Sequence, residues 1–292
     1  CSRLPIDRER LAKLLGFNGL VLHTRDAMWQ PDGPIELMSV ALAILCNVDR
    51  MTEDLQIWTT SEFNFMDLSE SHSRSSIIMP HKKNPYSLTF IRGVAREMIG
   101  RLAGTAALQS TPSGQVDNRI FTYRMVPRGL THTKQALKLL SETVSGLTVH
   151  KDEMSLAAVE SLGGATDLSE EIMTKYGIDA QTAHSIVGRA VRSATQMGKT
   201  LKADMINSAA KDIINRSLNI SDDLIEKVMD PKAIVATRTG PGGASSKSVQ
   251  EMITTFRGLV CKCNQWRISE GSRLKKAEKK LLEKVTALCQ CT

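Results

Sequence analysis

Apolar residues recur every three or four positions along most of this chain, the spacing that places them on one face of an α-helix. The longest such run covers residues 36–59, and similar patterns predict long helices over residues 85–109 and 128–147. Shorter or later helices are predicted over residues 7–15, 151–161, 167–176, 180–197, 201–216, 221–228 and 248–288. An alternating pattern, which would indicate a strand, does not persist over a useful length. The pattern therefore predicts an all-α protein built around long helices.

Polar, glycine-rich and proline-rich segments separate these predicted helices. The segments predicted to be loops are residues 61–74, 110–127 and 237–246. Asp167 and Ser248 are each followed three residues later by a glutamate, which is the spacing of a capping box and predicts a helix start at each. Pro85 is predicted to open the helix over residues 85–109, because proline is favoured in the first helical turn.

The character of the chain changes near His150, where long predicted helices give way to short ones. We therefore predict a central helical-bundle domain over residues 1–149, a small helical domain over residues 150–270, and a basic C-terminal helix or tail over residues 271–292. A chain of this length cannot cover the wide apolar faces of its own long helices, so an oligomer is expected.

Composition narrows the class of protein. Apolar residues make up 41% and charged residues 24% of the chain, which is typical of a globular protein. The formal net charge is +7, but much of the excess lies in residues 273–280, where it fits a solvated helix face. Basic residues do not interleave with aromatic ones as nucleic-acid recognition requires, and the most apolar stretch, residues 37–48, is too short to span a bilayer. We expect neither a nucleic-acid nor a membrane partner.

The six cysteines include two C-x-C pairs, at residues 261 and 263 and at residues 289 and 291. Thiols two positions apart on a helix point away from each other and have no histidine nearby, so a metal site is not expected. Free thiols indicate a reducing compartment, and no signal peptide is visible, so the predicted location is cytoplasmic. The chain begins at Cys1 without a methionine, and we expect a fragment, a processed product or a trimmed form of a longer protein.

Residues 75–85 carry the strongest chemical signal in the chain. The run Ser-Ser-Ile-Ile-Met-Pro-His-Lys-Lys-Asn-Pro combines hydroxyls, two adjacent ammonium groups and an amide with a conformational lock at Pro80. Small polar groups held beside fixed positive charge are suited to binding an anion. The segment therefore predicts an anion-binding loop.

This loop closely resembles the signature of the fumarase/aspartase superfamily, Gly-Ser-Ser-x-Met-Pro-x-Lys-x-Asn. The residues that match it are Ser76, Met79, Pro80, Lys82 and Asn84. Two positions depart from it, since Ser75 stands where the family has glycine and Ile77 where it has a second serine. Serine at position 75 costs backbone freedom if φ there is positive, and isoleucine at position 77 stiffens the chain.

Within the superfamily, the chain resembles the argininosuccinate lyase branch over most of its length. The segments that carry this resemblance are residues 4–9, 15–19, 50–55, 61–63, 91–93, 165–168, 183–184 and 242–244. The resemblance implies a long-helix bundle with a small C-terminal helical domain, assembled as a homotetramer in which three subunits complete each active site. It also implies that the N-terminal domain, and the first helices of the central domain, lie before Cys1.

The resemblance implies an anti β-elimination that converts a succinyl-amine, a small dicarboxylate-containing substrate, into fumarate and an amine. Ser76, at the first serine of the motif, is implied as the general base. Removing a proton beside a carboxylate builds up a dianion, which requires positive charge and hydrogen-bond donors. Lys82 and Asn84 are predicted to supply them as catalytic residues, and Ser75 and Met79 are predicted to contact the substrate. No cofactor and no metal are implied.

A second loop, after the helix that follows the signature, is implied to face the amine side of the substrate. Argininosuccinate lyases carry a tyrosine, a glutamine and a lysine there, and a count without gaps from Asn84 puts these positions at Val116, Phe121 and Arg124. Only the positive charge is kept, because valine and phenylalanine cannot make the lost hydrogen bonds. The substrate-binding candidates of this region are Gln115, Asn118, Arg119 and Arg124.

The sequence thus predicts an argininosuccinate lyase-like carbon–nitrogen lyase. Besides a basic helical nucleic-acid binder, which a shallow salt dependence of any binding would count against, two alternatives remain open. One is a lyase of the same superfamily with a different amine leaving group, which Val116 and Phe121 favour. The other is a truncated, non-catalytic paralogue that acts as a scaffold. We expect little turnover from these 292 residues alone, and turnover with the family's N-terminal region added would separate the alternatives.

Overall fold

The computed structural model describes residues 3–75, 78–79, 83–110, 117 and 119–289. Within these residues the regular structure is almost entirely helical, with twelve α-helices and four strands of two residues each. The predicted all-α class is therefore confirmed. The chain divides into two compact units, which we call unit 1 (Cys1–His150 and Arg267–Thr292) and unit 2 (Lys151–Trp266). The division into domains at residues 149 and 270 remains a prediction.

Among its described residues before residue 150, unit 1 contains five α-helices and one 3-10 helix, Glu70–His72. In chain order the α-helices are α1 (Arg8–Leu15), α2 (Thr24–Trp29), α3 (Asp32–Trp58), α4 (Tyr86–Leu108) and α5 (Arg119–Ser145). Its strands are β1 (Met66–Asp67), β2 (Arg74–Ser75), β3 (Lys83–Asn84) and β4 (Thr148–Val149). Strand β1 pairs antiparallel with β4, and β2 pairs antiparallel with β3.

The core of unit 1 lies where α3, α4 and α5 pack together. Met38 and Leu45 from α3, with Ile91 and Met98 from α4, are at most 1% exposed. Gly129 on α5 lies against the side chain of Met38, and an added Cβ there would be 2.8 Å from the Met38 methyl carbon. The close packing of three long helices is the bundle that their apolar periodicity predicts.

The start of α5 differs from the sequence prediction. A loop was expected over residues 110–127, with a helix from residue 128, but α5 begins at Arg119 and contains Pro127. Proline lacks an N–H group, so the helical bond to the carbonyl of Tyr123 is missing. Packing compensates for this loss, because Thr122 and Val126 are buried and the Gln109 side-chain amide donates to the Thr122 hydroxyl at 2.9 Å.

Unit 2 contains six helices and the beginning of a seventh. These are α6 (Lys151–Glu160), α7 (Ala165–Tyr176), α8 (Ala180–Met197), α9 (Ala203–Ile214), α10 (Asp222–Met229), α11 (Pro231–Thr237) and α12 (Ser246–Cys289). Its core is aliphatic, and Leu168, Ile172, Ile186 and Ile206 are fully buried in it. Helices α2 and α11 lie in segments for which the sequence pattern predicted no helix.

Two predicted helix starts in unit 2 are wrong. Helix α7 begins before Asp167, and the Asp167 carboxylate instead accepts a hydrogen bond from the Arg238 guanidinium at 2.7 Å. Ser248 lies inside α12, and the hydroxyl that caps this helix belongs to Ser245, which accepts from the Ser248 N–H at 3.3 Å. In both cases a partner close in space, rather than the local spacing, decides what the side chain does.

The C-terminal part of α12, from residue 267 onward, belongs to unit 1 and contacts α1. Gly16 ends α1 with a left-handed φ of 77°. An added Cβ at Gly16 would be 2.8 Å from the Ala277 methyl group, and the Arg273 guanidinium donates a hydrogen bond to the Gly16 carbonyl. Glycine is therefore required at this position both for its φ and for the close approach of α12.

Candidate active site

The signature segment begins and ends in an antiparallel pair of strands. Arg74 pairs with Asn84, and Ser75 pairs with Lys83. The two ends of the segment are therefore held side by side, and residues 76–82 connect them. Ser76 and Lys82, the predicted base and cation, lie outside the described residues, as do Ile77, Pro80 and His81. Two of the predicted site residues, Ser75 and Asn84, belong to the paired strands themselves.

Ser75 and Met79 are exposed, whereas Asn84 is half-buried. Ser75 lies in β2 and is not among the described residues with a positive φ. The glycine of the family motif is therefore not needed here for a left-handed conformation, and serine fits the extended strand without strain. The departure at position 75 leaves the hairpin intact.

Asn84 immediately precedes α4. Pro85 is the N-cap of this helix, which begins at Tyr86 rather than at the proline, and no side chain caps it. The first N–H groups of a helix lack partners within the helix and give its N-terminus a partial positive charge. The Asn84 amide is thus held at the positive end of a helix of 23 residues.

A cation–aromatic contact joins β2 to α4. The Arg74 guanidinium carbon lies 5.0 Å from the centre of the Tyr86 ring, within the range of a cation–π interaction. The Tyr86 ring in turn lies 6.5 Å, between centroids, from the ring of Phe90 one turn later. Neither residue belongs to the signature motif, and the only signal in the sequence is a basic residue before the motif and an aromatic residue after Asn84.

Arg92 fixes α4 against α3. Its guanidinium donates to the Asp49 carboxylate at 3.1 Å, to the Glu53 carboxylate at 2.6 Å and to the Gln56 side-chain oxygen at 3.1 Å. Burial lowers the pKa of Arg92, but the bonds to Asp49 and Glu53 outweigh it and the pKa is raised. A bidentate or tridentate arginine sets both the distance and the rotation of the helix that carries it. This network thereby determines where the N-terminal end of α4 lies.

Two of the predicted substrate-binding residues of the second segment lie on a helix and not in a loop. Gln115 and Asn118 are outside the described residues. Arg119 is the first residue of α5, and Arg124 is an exposed residue of the same helix. Phe121, also on α5, is 62% exposed. The structure therefore presents Arg124 on a helix surface, next to an exposed aromatic residue, instead of on a flexible loop.

Nowhere in the described ranges do three or more His, Cys, Asp or Glu side chains come together in an arrangement that could hold a metal ion. None of the helices in the described part of the chain combines the length and the apolar character that a membrane crossing requires.

Comparison with known proteins gives matches over nearly the whole chain. The sequence profile of the Lyase family matches residues 2–100, and that of the argininosuccinate lyase C-terminal family matches residues 164–236. Argininosuccinate lyase of Methanoculleus marisnigri is 31% identical over 281 residues, which are 95% of this chain and 56% of that protein. Argininosuccinate lyase of Leuconostoc mesenteroides is 31% identical over 89% of this chain and 55% of that protein.

Solved structures also match this fold over nearly the whole chain. EDDS lyase in complex with formate superposes with a TM-score of 0.90 at 28% identity, covering 99% of this chain and 58% of that one. A variant of EDDS lyase with bound fumarate gives a TM-score of 0.89 at the same identity and coverage.

The shared architecture is that of lyases built on a bundle of long helices. Together with the signature hairpin and the matched profiles, it assigns this chain to the argininosuccinate lyase branch of the fumarase/aspartase superfamily, to which it belongs. The chain spans about half the length of the curated relatives that it matches.

Proposed function

We propose that this chain contributes to the active site of a carbon–nitrogen lyase that cleaves a succinyl-amine into fumarate and an amine. The observation that supports it best is the β2–β3 hairpin, which holds the two ends of the signature segment together. Family membership supports the reaction class, and an EDDS lyase of the same fold has been solved with fumarate bound.

In the proposed reaction, Ser76 removes a proton from the carbon beside a substrate carboxylate, and the carbon–nitrogen bond on the opposite face breaks. The electron pair of the broken C–H bond becomes the double bond of fumarate, and the nitrogen leaves with the electron pair of the broken C–N bond and takes up a proton. Negative charge gathers on the carboxylate while the proton leaves. Lys82 and the Asn84 amide stabilise this charge, since donors fixed in advance need no reorganisation during the step.

A serine hydroxyl is a weak base, so its surroundings must favour the alkoxide form. Positive charge would do this, and the motif and the helix after it offer two sources. One is Lys82 itself, six residues after Ser76 in the motif. The other is the N-terminal end of α4, whose first N–H groups follow Pro85 and have no side-chain cap.

A second candidate is a lyase of the same kind with a different amine leaving group. Phe121 supports it, because its exposed ring offers an apolar contact where argininosuccinate lyases are implied to have a hydrogen-bonding side chain. The similarity to EDDS lyase, whose name denotes another substrate, points the same way. The product on the dicarboxylate side is fumarate in both candidates.

The proposed assembly is a homotetramer in which several subunits complete each site. Helix α3 supports it, because it carries a second apolar face besides the buried one. Leu37, Val40 and Met51 on this face are 49%, 54% and 44% exposed in the single chain. An exposed apolar stripe of this length is a protein contact surface. Light scattering on the purified protein at micromolar concentration should give the mass of four subunits, and a stable monomer would contradict the assembly.

A cytoplasmic location is also part of the proposal. Three of the cysteines that the structure describes, at positions 46, 261 and 263, are free and exposed thiols. Exposed free thiols suit a reducing compartment.

The test of the reaction is the Ser76→Ala substitution in the native gene product. Fumarate release from a series of succinyl-amines should fall by about 100-fold or more, because one general base is worth roughly that factor. Ser73→Ala is the matched control, since among the described residues its hydroxyl makes only a local bond to the Glu70 carbonyl at 3.4 Å. Near-normal turnover of the Ser76→Ala protein would refute the role of Ser76. Absence of fumarate from every succinyl-amine with the unmodified protein would instead favour the scaffold alternative.

A further inference from the structure

Unit 2 contains a cavity of about 380 Å³ that the proposed elimination does not use. It is formed by the end of α6 and the turn after it, by residues 200–202 before α9, and by α10 with the first residues of α11. All of these segments belong to unit 2. Its volume lies at the lower end of the range for small-molecule sites.

The walls of the cavity are fixed by tight packing. Gly164 lies so close to α10 that an added Cβ would be 2.9 Å from the Met229 Cα. Leu201 and Ile225 are 7% and 4% exposed and join the wall to the core of unit 2. Leu162 is held at a φ of 53°, a conformation that a leucine rarely adopts and that the surrounding contacts must maintain. The cavity is therefore a formed site and not a gap between loosely packed helices.

Its lining has the composition of a binding site for a molecule with an apolar body. Val159, Leu162, Ile225, Met229 and Pro231 supply the apolar surface. Such surface binds an aliphatic group by removing it from water, at a free energy proportional to the buried area.

Two opposite charges accompany the apolar lining. Lys202 and Glu226 both line the cavity, and neither side chain has a hydrogen bond or an ion pair with a described residue. The third charged group, Asp230, caps α11 and keeps its negative charge, since its carboxylate accepts from the N–H groups of Lys232 and Ala233 at 3.2 and 3.3 Å. The cavity thus offers one unpaired cation and one unpaired anion beside an aliphatic wall.

From this combination we infer that the cavity binds a free α-amino acid with an aliphatic side chain. The ligand carboxylate pairs with Lys202, the ligand ammonium pairs with Glu226, and the side chain lies on Val159, Leu162 and Met229. A simple carboxylic acid would satisfy Lys202 but bring a second negative charge towards Glu226. A simple amine would satisfy Glu226 but repel Lys202. Only a zwitterion complements both groups. This binding is non-covalent and goes beyond the proposed lyase reaction.

Isothermal titration calorimetry on the intact 292-residue chain tests the inference. Four probes isolate the three contacts: L-leucine, glycine without the aliphatic group, isopentylamine without the carboxylate, and isocaproate without the ammonium. L-leucine should bind with a Kd on the order of 1 mM, which is typical of so small a ligand. Each of the other probes should bind about threefold to tenfold more weakly than L-leucine, because each loses one contact.

Variants locate the site. Lys202→Met and Glu226→Gln should each weaken L-leucine binding about threefold to tenfold, and Val159→Trp should abolish it by filling the cavity. Lys199→Met and Glu153→Gln are the matched controls, since both residues are exposed and neither lines the cavity. Equal affinity for the amine or the acid, unchanged affinity in the Lys202→Met protein, or no binding of L-leucine at about 10 mM would overturn the inference. Circular dichroism confirms that each variant is folded before it is titrated.

Discussion

Arg74 stacks on Tyr86, with its guanidinium carbon 5.0 Å from the centre of the ring. The contact links the first strand of the signature hairpin to the first residue of α4, across eleven positions of sequence that include the whole predicted anion-binding loop. The paired strands alone would hold the ends of the segment to each other. The stacked pair additionally holds them to the helix, so the hairpin cannot turn independently of α4.

The Arg74–Tyr86 contact should be measurable as a coupling free energy. In a double-mutant cycle with Arg74→Met and Tyr86→Leu, we expect about 0.5–1 kcal/mol of coupling in the free energy of unfolding, the range for exposed cation–π pairs. Urea denaturation followed by circular dichroism supplies the four values. Tyr86→Phe is the control, because it keeps the aromatic face and should keep the coupling. Strict additivity of the two substitutions would contradict the contact.

The two adjacent lysines of the motif should differ in their effect on turnover. Lys82→Met should lower fumarate release by about 100-fold or more, because a cation facing developing negative charge is worth several kcal/mol. Lys83 is an exposed residue of β3 and pairs through its backbone with Ser75. Lys83→Met keeps that pairing, so turnover should change by less than about threefold. Steady-state rates of fumarate release by the two variants and the unmodified native gene product test this. Equal losses of turnover in the two variants would mean that only the general positive charge of the loop is needed.

Two glycines of the loop before α12 should differ in how strongly alanine destabilises the protein. An added Cβ at Gly243 would overlap the carbonyl oxygen of Arg238, whereas the space around Gly240 is open within 4 Å. Gly243→Ala should therefore lower the free energy of unfolding by about 1–3 kcal/mol, and Gly240→Ala by no more than about 0.5 kcal/mol. Thermal or urea denaturation measures both. A Gly243→Ala protein as stable as its Gly240→Ala control would show that the loop relaxes freely.

Stability should fall in acid partly through Glu97. The hydrogen bond from Arg101 lowers the pKa of Glu97 below its ordinary value of 4.5, against the opposing effect of burial and with help from His132. A carboxyl group whose pKa is lower in the folded state stabilises that state above its unfolded pKa, and the contribution disappears as the pH falls through the folded pKa. The Glu97 side chain is 48% exposed, so the contribution is under about 1 kcal/mol.

Urea denaturation of the unmodified and Glu97→Gln proteins at a series of pH values tests this. The difference in unfolding free energy between them should be largest above pH 4.5 and should shrink at lower pH. Glu153→Gln removes an exposed carboxylate without an ion pair to any described residue and serves as the control. A difference that grows on acidification would contradict the sign of the shift.

The helices predicted correctly are those whose ends are set by their own residues. Helix α8 spans the predicted range, because the Asp179 carboxylate accepts from the Thr182 N–H at its start and Gly198 takes a left-handed φ of 59° at its end. The start of α5 was missed because Pro127 reads as a helix breaker in sequence. The packing of the buried residues beside Pro127 outweighs its preference to end a helix. A short stretch of sequence does not show such packing, because the residues in contact are far apart in the chain.

The candidate site was predicted in part. The signature motif identified residues 75–85 as the site segment, and family membership is confirmed, but the roles of Ser76 and Lys82 remain predictions. The motif gave no indication that Arg74 and Tyr86 would stack, because residues outside a signature carry no pattern that links them. Arg124 was expected in a loop and lies on a helix, for the same reason that the start of α5 was missed.

Pro127 gives α5 a weak point next to a predicted substrate contact. With one bond of the helical ladder absent, residues 119–126 can separate from the rest of α5 at a lower free energy than an uninterrupted helix would allow, and their amide protons should exchange with solvent sooner than those after the proline. Arg124 lies in this part of the helix, before the proline. A ligand that engages Arg124 would slow the exchange of these amides selectively. Hydrogen–deuterium exchange at the start of α5 could therefore report substrate binding even where no product is formed.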